Sequence, residues 1–409
     1  MMVIEHSAAN HTCLSDSRSN KIRTKSILFV TGCLFNESSG PYHTVQQTAK
    51  TLQKRGHQVT VVGTKGPSDK DLDRWVVEAR AFQRYGPYSL HYTTGLSRWL
   101  KQEHCNWDLA SMHGVWMHTN RVVADWCIRH DKPFMVTAHG NFNPTALRVS
   151  SWKKWLARMT FMRTLFEHVT CYHALTEVEY QTLRYFGIRQ PICVIGNGIE
   201  FVKSEIIPEP LSLLPVWVRD RRICLYLGRL HPIKGVDRLL RAWSALRPSD
   251  EWLLVIAGSG ESDYVSSLEQ LLGSGKQNVL FVGFVTGDIK TAWLRAAEFC
   301  VLPSYSEAFP VSLLEGFAQS KGALITCACG LPEAVLANAA YEVDSSEEGL
   351  KEGLRLMLSL SPGELHKMGE RAYVFARDRF NWESISTQLE QVYTWMIGDS
   401  NIPSCLRLD

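Results

Sequence analysis

No stretch of the chain approaches the roughly 20 consecutive apolar residues that a membrane-spanning helix needs, so an integral membrane protein is not expected. The first 25 residues, Met1 to Lys25, are polar and lack the apolar core of a secretory signal. They read as a disordered tail, and the expected location is the cytoplasm. The 11 cysteines are scattered without a CxxC pair, and Cys327 and Cys329 flank Ala328 with no histidine nearby. That spacing fits neither a zinc site nor a disulfide framework and suits reduced thiols in a cytosol. Charge is also scarce in balance: the formal net value is +3, too small to point to nucleic acid.

What is present is the composition of a globular protein, 45% hydrophobic and 21% charged, over 409 residues. A chain of this length exceeds one typical core, so two domains are expected. The order of elements supports that. Ser26–Thr31 reads as a buried strand, Tyr42–Arg55 as a helix with Val45, Ala49 and Leu52 on one face, and Gln58–Gly63 as the next strand. Such a strand–loop–helix–strand unit starts a parallel α/β sheet. Trp107–Met112 and Pro133–Ala138 are further strands, ending in His113-Gly114 and His139-Gly140. Ligands of open α/β sheets bind at the carboxyl ends of strands. A single loop histidine is ordinarily structural, but two at that edge make ligand contact a working expectation.

After Glu200 the alternation breaks at Pro208, Pro210 and Pro215, which marks residues 203–221 as an interdomain linker. It then restarts with Ile223–Leu227, Gly228-Arg229 and Lys234-Gly235, and a helix striped by Val236, Leu239, Leu240, Trp243 and Leu246. A glycine-containing loop, a helix N-terminus and two cations together suit a pyrophosphate. Phe299–Leu302 is another strand, followed by a loop carrying Glu307 and a helix from about Val311 carrying Glu315. Two carboxylates beside a helix N-terminus can take sugar hydroxyls while the helix amides take phosphate. They can equally be an acidic residue favouring the helix dipole and a solvated glutamate.

Residues 148–168 hold five Lys/Arg against one Glu, interleaved with Trp152, Trp155, Phe161 and Phe166. A basic aromatic amphipathic helix can lie on an anionic membrane surface; alternatively, the aromatic face is core. Asp71-Leu-Asp73 has the form of a metal-binding triplet but precedes what reads as a surface helix, which makes it a cap.

In order and spacing, Leu227-Gly-Arg229-Leu230, Lys234-Gly235, Ala257-Gly258, Val279–Gly283, Ser306-Glu307-Ala-Phe309 through Glu315 and Gly330-Leu-Pro-Glu333 resemble the retaining glycosyltransferases of family 4. In the first half Gly40-Pro41, His113-Gly-Val-Trp116, His139-Gly140 and Val194–Glu200 look like the family's matching segments. The resemblance runs from about Ile27 to Met396. It implies the α/β GT-B fold: two Rossmann-like domains facing across a cleft, with the C-terminal helix crossing back to the N-terminal domain. The domains would be 26–202, extended by about 384–409, and 222–383.

The resemblance also implies a catalytic set of His139, Arg229, Lys234 and Glu307. Arg229 and Lys234 would hold the donor diphosphate, Glu307 the donor sugar and Glu315 the ribose, with His139 close to the reacting sugar. Gly40, Gly258, Gly283, Val285, Phe309 and Val311 would complete the donor site. The implied co-substrate is a nucleotide-diphosphate sugar, with no metal expected because fixed cations and helix amides can stabilise a departing diphosphate. The implied acceptor is a glycan or a lipid-linked glycan, the latter suggested by residues 148–168. A soluble transferase making a small glycoside, a nucleotide-sugar 2-epimerase and a non-catalytic binding module remain alternatives. Ser39, Ala308 and Ser320 stand where family members often carry glycine, and Pro310 lacks an N–H in the same loop.

Overall fold

The computed structural model describes residues 23–35, 40–67, 69, 72–102, 106–143, 151–201, 210–272, 278–399 and 401–409. Most of the expected N-terminal tail, the first part of the linker, Ser38-Ser39, Asp71 and residues 148–150 lie outside these.

The first half runs β1 (Ser26–Cys33), α1 (Gly40–Lys54), β2 (Gln58–Lys65), β3 (Glu78–Gln83), α2 (Gly95–Gln102), β4 (Leu109–His113), α3 (His118–Arg129), β5 (Phe134–Thr137), α4 (Ser151–Met159), α5 (Arg163–His168), β6 (Cys171–Ala174), α6 (Glu177–Tyr185) and β7 (Ile192–Val194). The second runs β8 (Arg222–Leu227), α7 (Val236–Leu246), β9 (Trp252–Ala257), α8 (Ser262–Leu271), β10 (Val279–Gly283), α9 (Gly287–Ala296), β11 (Ala297–Leu302), α10 (Val311–Ala318), β12 (Gly322–Thr326), α11 (Pro332–Leu336), β13 (Ala340–Val343), α12 (Glu347–Ser359) and α13 (Pro362–Phe380). The chain ends with α14 (Trp382–Met396) and β14 (Leu406–Arg407).

Two sheets result, ordered β14-β7-β6-β5-β4-β1-β2-β3 and β10-β9-β8-β11-β12-β13. Among the described residues every pairing of these strands is parallel except β14 on β7. Central strands such as β9 are buried on both faces, which explains their unbroken apolar runs. Helices cover the faces with the stripes legible in the sequence. Val45, Ala49 and Leu52 of α1 are fully buried, as are Val236, Leu239 and Leu240 of α7. Each large apolar side chain buried in this way contributes about 1.5–3 kcal/mol.

The chain passes between domains near Ile199 and again at Asn381. These two points touch: the Ile199 amide donates to the Phe380 carbonyl at 2.7 Å, and Ile199 and Asn381 form an isolated parallel bridge. Asn381 starts α14 by accepting from the Ser384 amide at 2.8 Å. Helix α14 then returns to the first domain, where Ile385, Leu389, Val392 and Tyr393 join a cluster with Ile27, Phe29 and Val45. Arg55 grips Glu390 with two bonds of 2.7 and 2.6 Å, and His57 Nε2 bonds the same carboxylate at 2.8 Å. Burial alone would raise the Glu390 pKa, but the hydrogen bonds from Arg55 and His57 outweigh it and hold the group at about 2.

Four expectations change. Residues 151–168 are two helices, α4 and α5, not one, because the chain turns at Thr160–Met162 to bury Met162, Leu165 and Phe166 in the core. The residues after Asp73 form no helix: 72–77 are turn and bend, and β3 follows. The end of the expected linker is not a free connection, since Leu214 and Val218 are buried in the C-terminal core. Lys25, placed in the tail, is also buried.

Candidate active site

The carboxyl edges of the two sheets face each other across a cleft. On the C-terminal side, three glycine turns are stitched together. Leu230 N donates to Ser259 O at 2.8 Å, and Gly258 N donates to Gly283 O at 2.7 Å. The approach is so close that a Cβ on Gly258 would stand 1.8 Å from the Gly228 carbonyl oxygen. Gly235, with φ +65°, ends a 3₁₀ turn (Pro232–Lys234) and starts α7; a Cβ there would stand 2.2 Å from the Pro303 carbonyl oxygen. Only glycine fits both constraints at this turn.

A cavity of about 720 Å³ opens over these turns. Its C-terminal wall includes Gly228, Arg229, Gly258, Val285, Lys290, Val311 and Glu315, and its N-terminal wall includes Gly40, His43 and Asn197. The structure therefore brings Gly40, Arg229, Gly258, Val285, Val311 and Glu315 to one space. Arg229 is exposed there, and Glu315 receives a 2.8 Å bond from Lys290. Lys290 was not anticipated, because its position on α9 becomes relevant only once α9 packs beside α10.

Other expected residues are placed differently. Lys234 and Glu307 do not line this cavity. They meet beside it, with Lys234 Nζ 2.6 Å from both Glu307 oxygens, and Ser304 Oγ donates to Glu307 Oε1 at 2.6 Å. Gly283 lies one residue short of the lining segment, and its role is the bond from Gly258. Phe309 is buried under Phe380, with ring centroids 5.7 Å apart, so it belongs to the packing where the chain returns between domains.

The N-terminal edge is built from histidines. His139 follows β5 with φ +50°, a conformation that costs a non-glycine residue energy and needs support. His139 Nε2 lies 3.0 Å from His113 Nδ1. His173 Nε2 donates to the Ile195 carbonyl at 2.7 Å, which leaves its Nδ1 to accept from Thr137 Oγ1 at 3.1 Å. Burial, then repulsion from neighbouring histidines, lowers His139 to about 3 and His113 well below its ordinary value, while burial, partly offset by the bond to Ile195, lowers His173 to about 4. The cluster is neutral at pH 7. Glu179 holds the next turn by accepting from Gly140 N at 2.5 Å and Leu175 N at 2.8 Å. His173 and Glu179 escaped the sequence reading because neither adjoins a glycine turn.

The two edges touch. A Cβ on Gly140, whose φ is +75°, would stand 2.8 Å from Ala308 Cβ, and Asn143 Nδ2 donates to Ser306 Oγ at 3.1 Å. Beyond the histidines, the first domain holds a second cavity of about 700 Å³. It is lined by Gly32, Tyr88, His91, Trp116 and Met117, and by Lys154, Ala157 and Phe161 from the α4 region.

Two parallel α/β layers facing across a cleft, with the last long helix returned to the first layer, define the GT-B class. Residues 39–198 match the family model described as a glycosyl transferase 4-like domain, and residues 215–375 match that of glycosyl transferases group 1. The chain belongs to the family 4 glycosyltransferases of GT-B fold. It is 28% identical over 183 residues to a glycosyltransferase of Methanocaldococcus jannaschii, covering 42% of this chain and 45% of that protein. It is 31% identical over 192 residues to D-inositol 3-phosphate glycosyltransferase 2 of Catenulispora acidiphila, covering 44% of each. Against a lipopolysaccharide core biosynthesis mannosyltransferase of Rhizobium leguminosarum it is 28% identical over 222 residues, 51% of this chain and 61% of the relative. The match thus spans about half the length of these relatives. Among solved structures, sucrose-phosphate synthase from Thermosynechococcus elongatus superposes with a TM-score of 0.74 at 19% identity, covering 92% of this chain and all of that one. Anabaena HepE in complex with UDP and glucose superposes at 0.72 with 17% identity, covering 91% and 100%.

Proposed function

We propose that this protein moves a sugar, with retention and without a metal, from a nucleoside diphosphate sugar to a lipid-linked glycan at an anionic membrane surface. The donor lies in the cleft cavity. Arg229 and the amides around Gly235 meet the diphosphate, Glu315 the ribose hydroxyls and the backbone near Val285 the base. Lys234 supports charge on the leaving group and, through its bonds to both carboxylate oxygens, fixes the side chain of Glu307 for contact with the donor sugar. A retaining glycosidase would use a carboxylate nucleophile. Glu307 already accepts bonds on both oxygens, so attack by the acceptor on the face the diphosphate leaves is the better route. His139, bonded to the His113 ring that lines the second cavity, would stand close to the reacting sugar.

One observation carries the acceptor class. Helix α4 closes the second cavity with Lys154 and Ala157, while Trp152, Trp155, Leu156 and Met159 of the same helix are exposed. Indole rings beside a cavity mouth suit the interfacial layer of a bilayer. Among the described residues no helix is long and apolar enough to cross a membrane, so this contact would be peripheral.

Flotation with phosphatidylglycerol vesicles tests the acceptor reading. Binding that disappears in a Trp152→Glu, Trp155→Glu double variant supports it, and no binding by the unaltered protein overturns it. Thermal shifts with UDP, GDP and ADP test the donor reading, since a bound nucleotide raises the melting temperature by mass action. Relatives in fold bind UDP and UDP-glucose, so UDP is the expected ligand. A rate unchanged by EDTA is expected for metal independence.

A further inference from the structure

The second cavity contains a histidine one of whose ring nitrogens bonds none of the described residues. His91 follows a short 3₁₀ turn (Tyr88–Leu90) and is 7% exposed, with φ +48°. Its ring is fixed from two sides. Thr64 Oγ1 lies 2.8 Å from His91 Nδ1, and the Tyr88 ring meets it edge-on at 5.1 Å between centroids. The threonine hydroxyl has one proton and donates it to the Gly32 carbonyl at 2.9 Å. The proton between Thr64 and His91 must therefore belong to His91 Nδ1. A neutral imidazole carries one proton, so Nε2 is a bare acceptor. Burial, then the nearby charge of Arg84, lowers the His91 pKa to about 4, which keeps the ring in this form at neutral pH.

Nε2 faces the end of β1. A Cβ built on Gly32 would stand 2.7 Å from it, so glycine at 32 is what leaves this nitrogen its place. Gly32 and His91 both line the cavity, and Nε2 makes no hydrogen bond with any described residue. Tyr88, Trp116, Met117 and Phe161 supply the apolar surroundings. An oriented lone pair in an aromatic-lined pocket matches a sugar ring, whose C–H face packs on aromatic side chains and whose hydroxyls donate.

We propose that His91 Nε2 accepts a hydrogen bond from one hydroxyl of the acceptor sugar and thereby sets which other hydroxyl reaches the donor. This rests on the transferase reading above. His91 acts as a specificity-determining residue that binds the acceptor and takes no proton from it.

The test uses the full chain, UDP-glucose and a panel of n-octyl glucosides, galactosides and mannosides with their monodeoxy analogues. In the unaltered protein, one deoxy analogue of the best acceptor should show a KM raised about tenfold. His91→Ala should raise the KM for the parent glycoside by a similar factor, erase the difference between parent and that analogue, and leave the KM for UDP-glucose unchanged. His91→Gln, which offers an acceptor oxygen, should recover part of the discrimination. Gly32→Ala, which displaces the ring from the other side, should reproduce the His91→Ala pattern with circular dichroism confirming the fold. An unchanged acceptor KM in His91→Ala, or discrimination that survives in it, overturns the role of His91. Unaltered protein that binds UDP yet transfers to no member of the panel overturns the transferase reading instead, so the two failures are distinct.

Discussion

The two sheets share topology and face each other edge to edge, yet their edges are built from opposite chemistry. The C-terminal edge carries full charges in contact: Lys234 with Glu307, Lys290 with Glu315, and Arg229 exposed over the glycine turns. The N-terminal edge carries His113, His139 and His173, all held neutral. Charge in the first domain is set at the other end of its strands, where Arg55 and His57 precede β2 and meet Glu390. The difference shows how one α/β scaffold divides the labour. One edge is prepared for an anion that departs with growing charge, and the other for hydroxyls beside neutral imidazoles.

The largest effect should come from the charged edge. Lys234→Ala leaves Glu307 with Ser304 as its one side-chain partner among the described residues and removes a cation from the leaving group, and kcat/KM for transfer should fall about 10³-fold. Full activity in that variant would erase the distinction between the edges. Next is the anchor at the far end of the first sheet. Glu390→Ala removes the buried partner of Arg55 and His57, leaving Arg55 to Glu383 and His57 to the Lys25 amide, and should cost about 3 kcal/mol, read as a melting temperature lower by several degrees. An unchanged melting curve would show that the charge there is not structural. The contact between edges should matter less. Gly140→Ala places an L-residue at φ +75° against Ala308, a strain of about 1–2 kcal/mol, and transfer should slow roughly tenfold. A faster variant would mean the edges are held too close.

The smallest effect concerns pH. Because the three edge histidines have folded pKa values below their unfolded ones, the unfolded chain binds more protons below pH 6.5, and stability should decline as pH falls from there. Glu179 works the other way. Burial pushes it up to about 7, with the bonds from Leu175 and Gly140 partly offsetting that. Between its ordinary value and 7 the folded state binds the extra proton, so this group favours folding as pH falls. Glu179→Gln should therefore steepen the decline in melting temperature between pH 6.5 and 5. A flat melting temperature across that range would sink the neutral-edge reading.

Much of the fold was legible because parallel strands and their helices write distinct periods into the chain. Val45, Ala49 and Leu52 announce α1, and Val236, Leu239 and Leu240 announce α7, before any contact is known. Arg229, Glu315, Gly258 and Gly40 were expected in one site from the family resemblance, and the structure brings all four to one cavity. What stayed hidden depends on tertiary placement. Strand β3 has charged Glu78 and Arg80 on an edge with only partial burial, so its pattern resembles surface. Lys290 reaches Glu315 only because α9 lies beside α10, and Thr64 selects the His91 tautomer across 27 residues. The run 148–168 read as one amphipathic face. Its second part was core, as Met162 and Phe166 show, and its first part was exposed aromatic surface.

The meeting of Ile199 with Asn381 has a mechanical meaning. Both passages of the chain between the domains converge on one bridge, and Trp382 is stacked so tightly on Gly198 that a Cβ there would stand 2.3 Å from the indole. A joint of this kind would let the two domains rotate about it like a door on its pin, with the far contact of Gly140 and Asn143 with Ala308 and Ser306 as the latch.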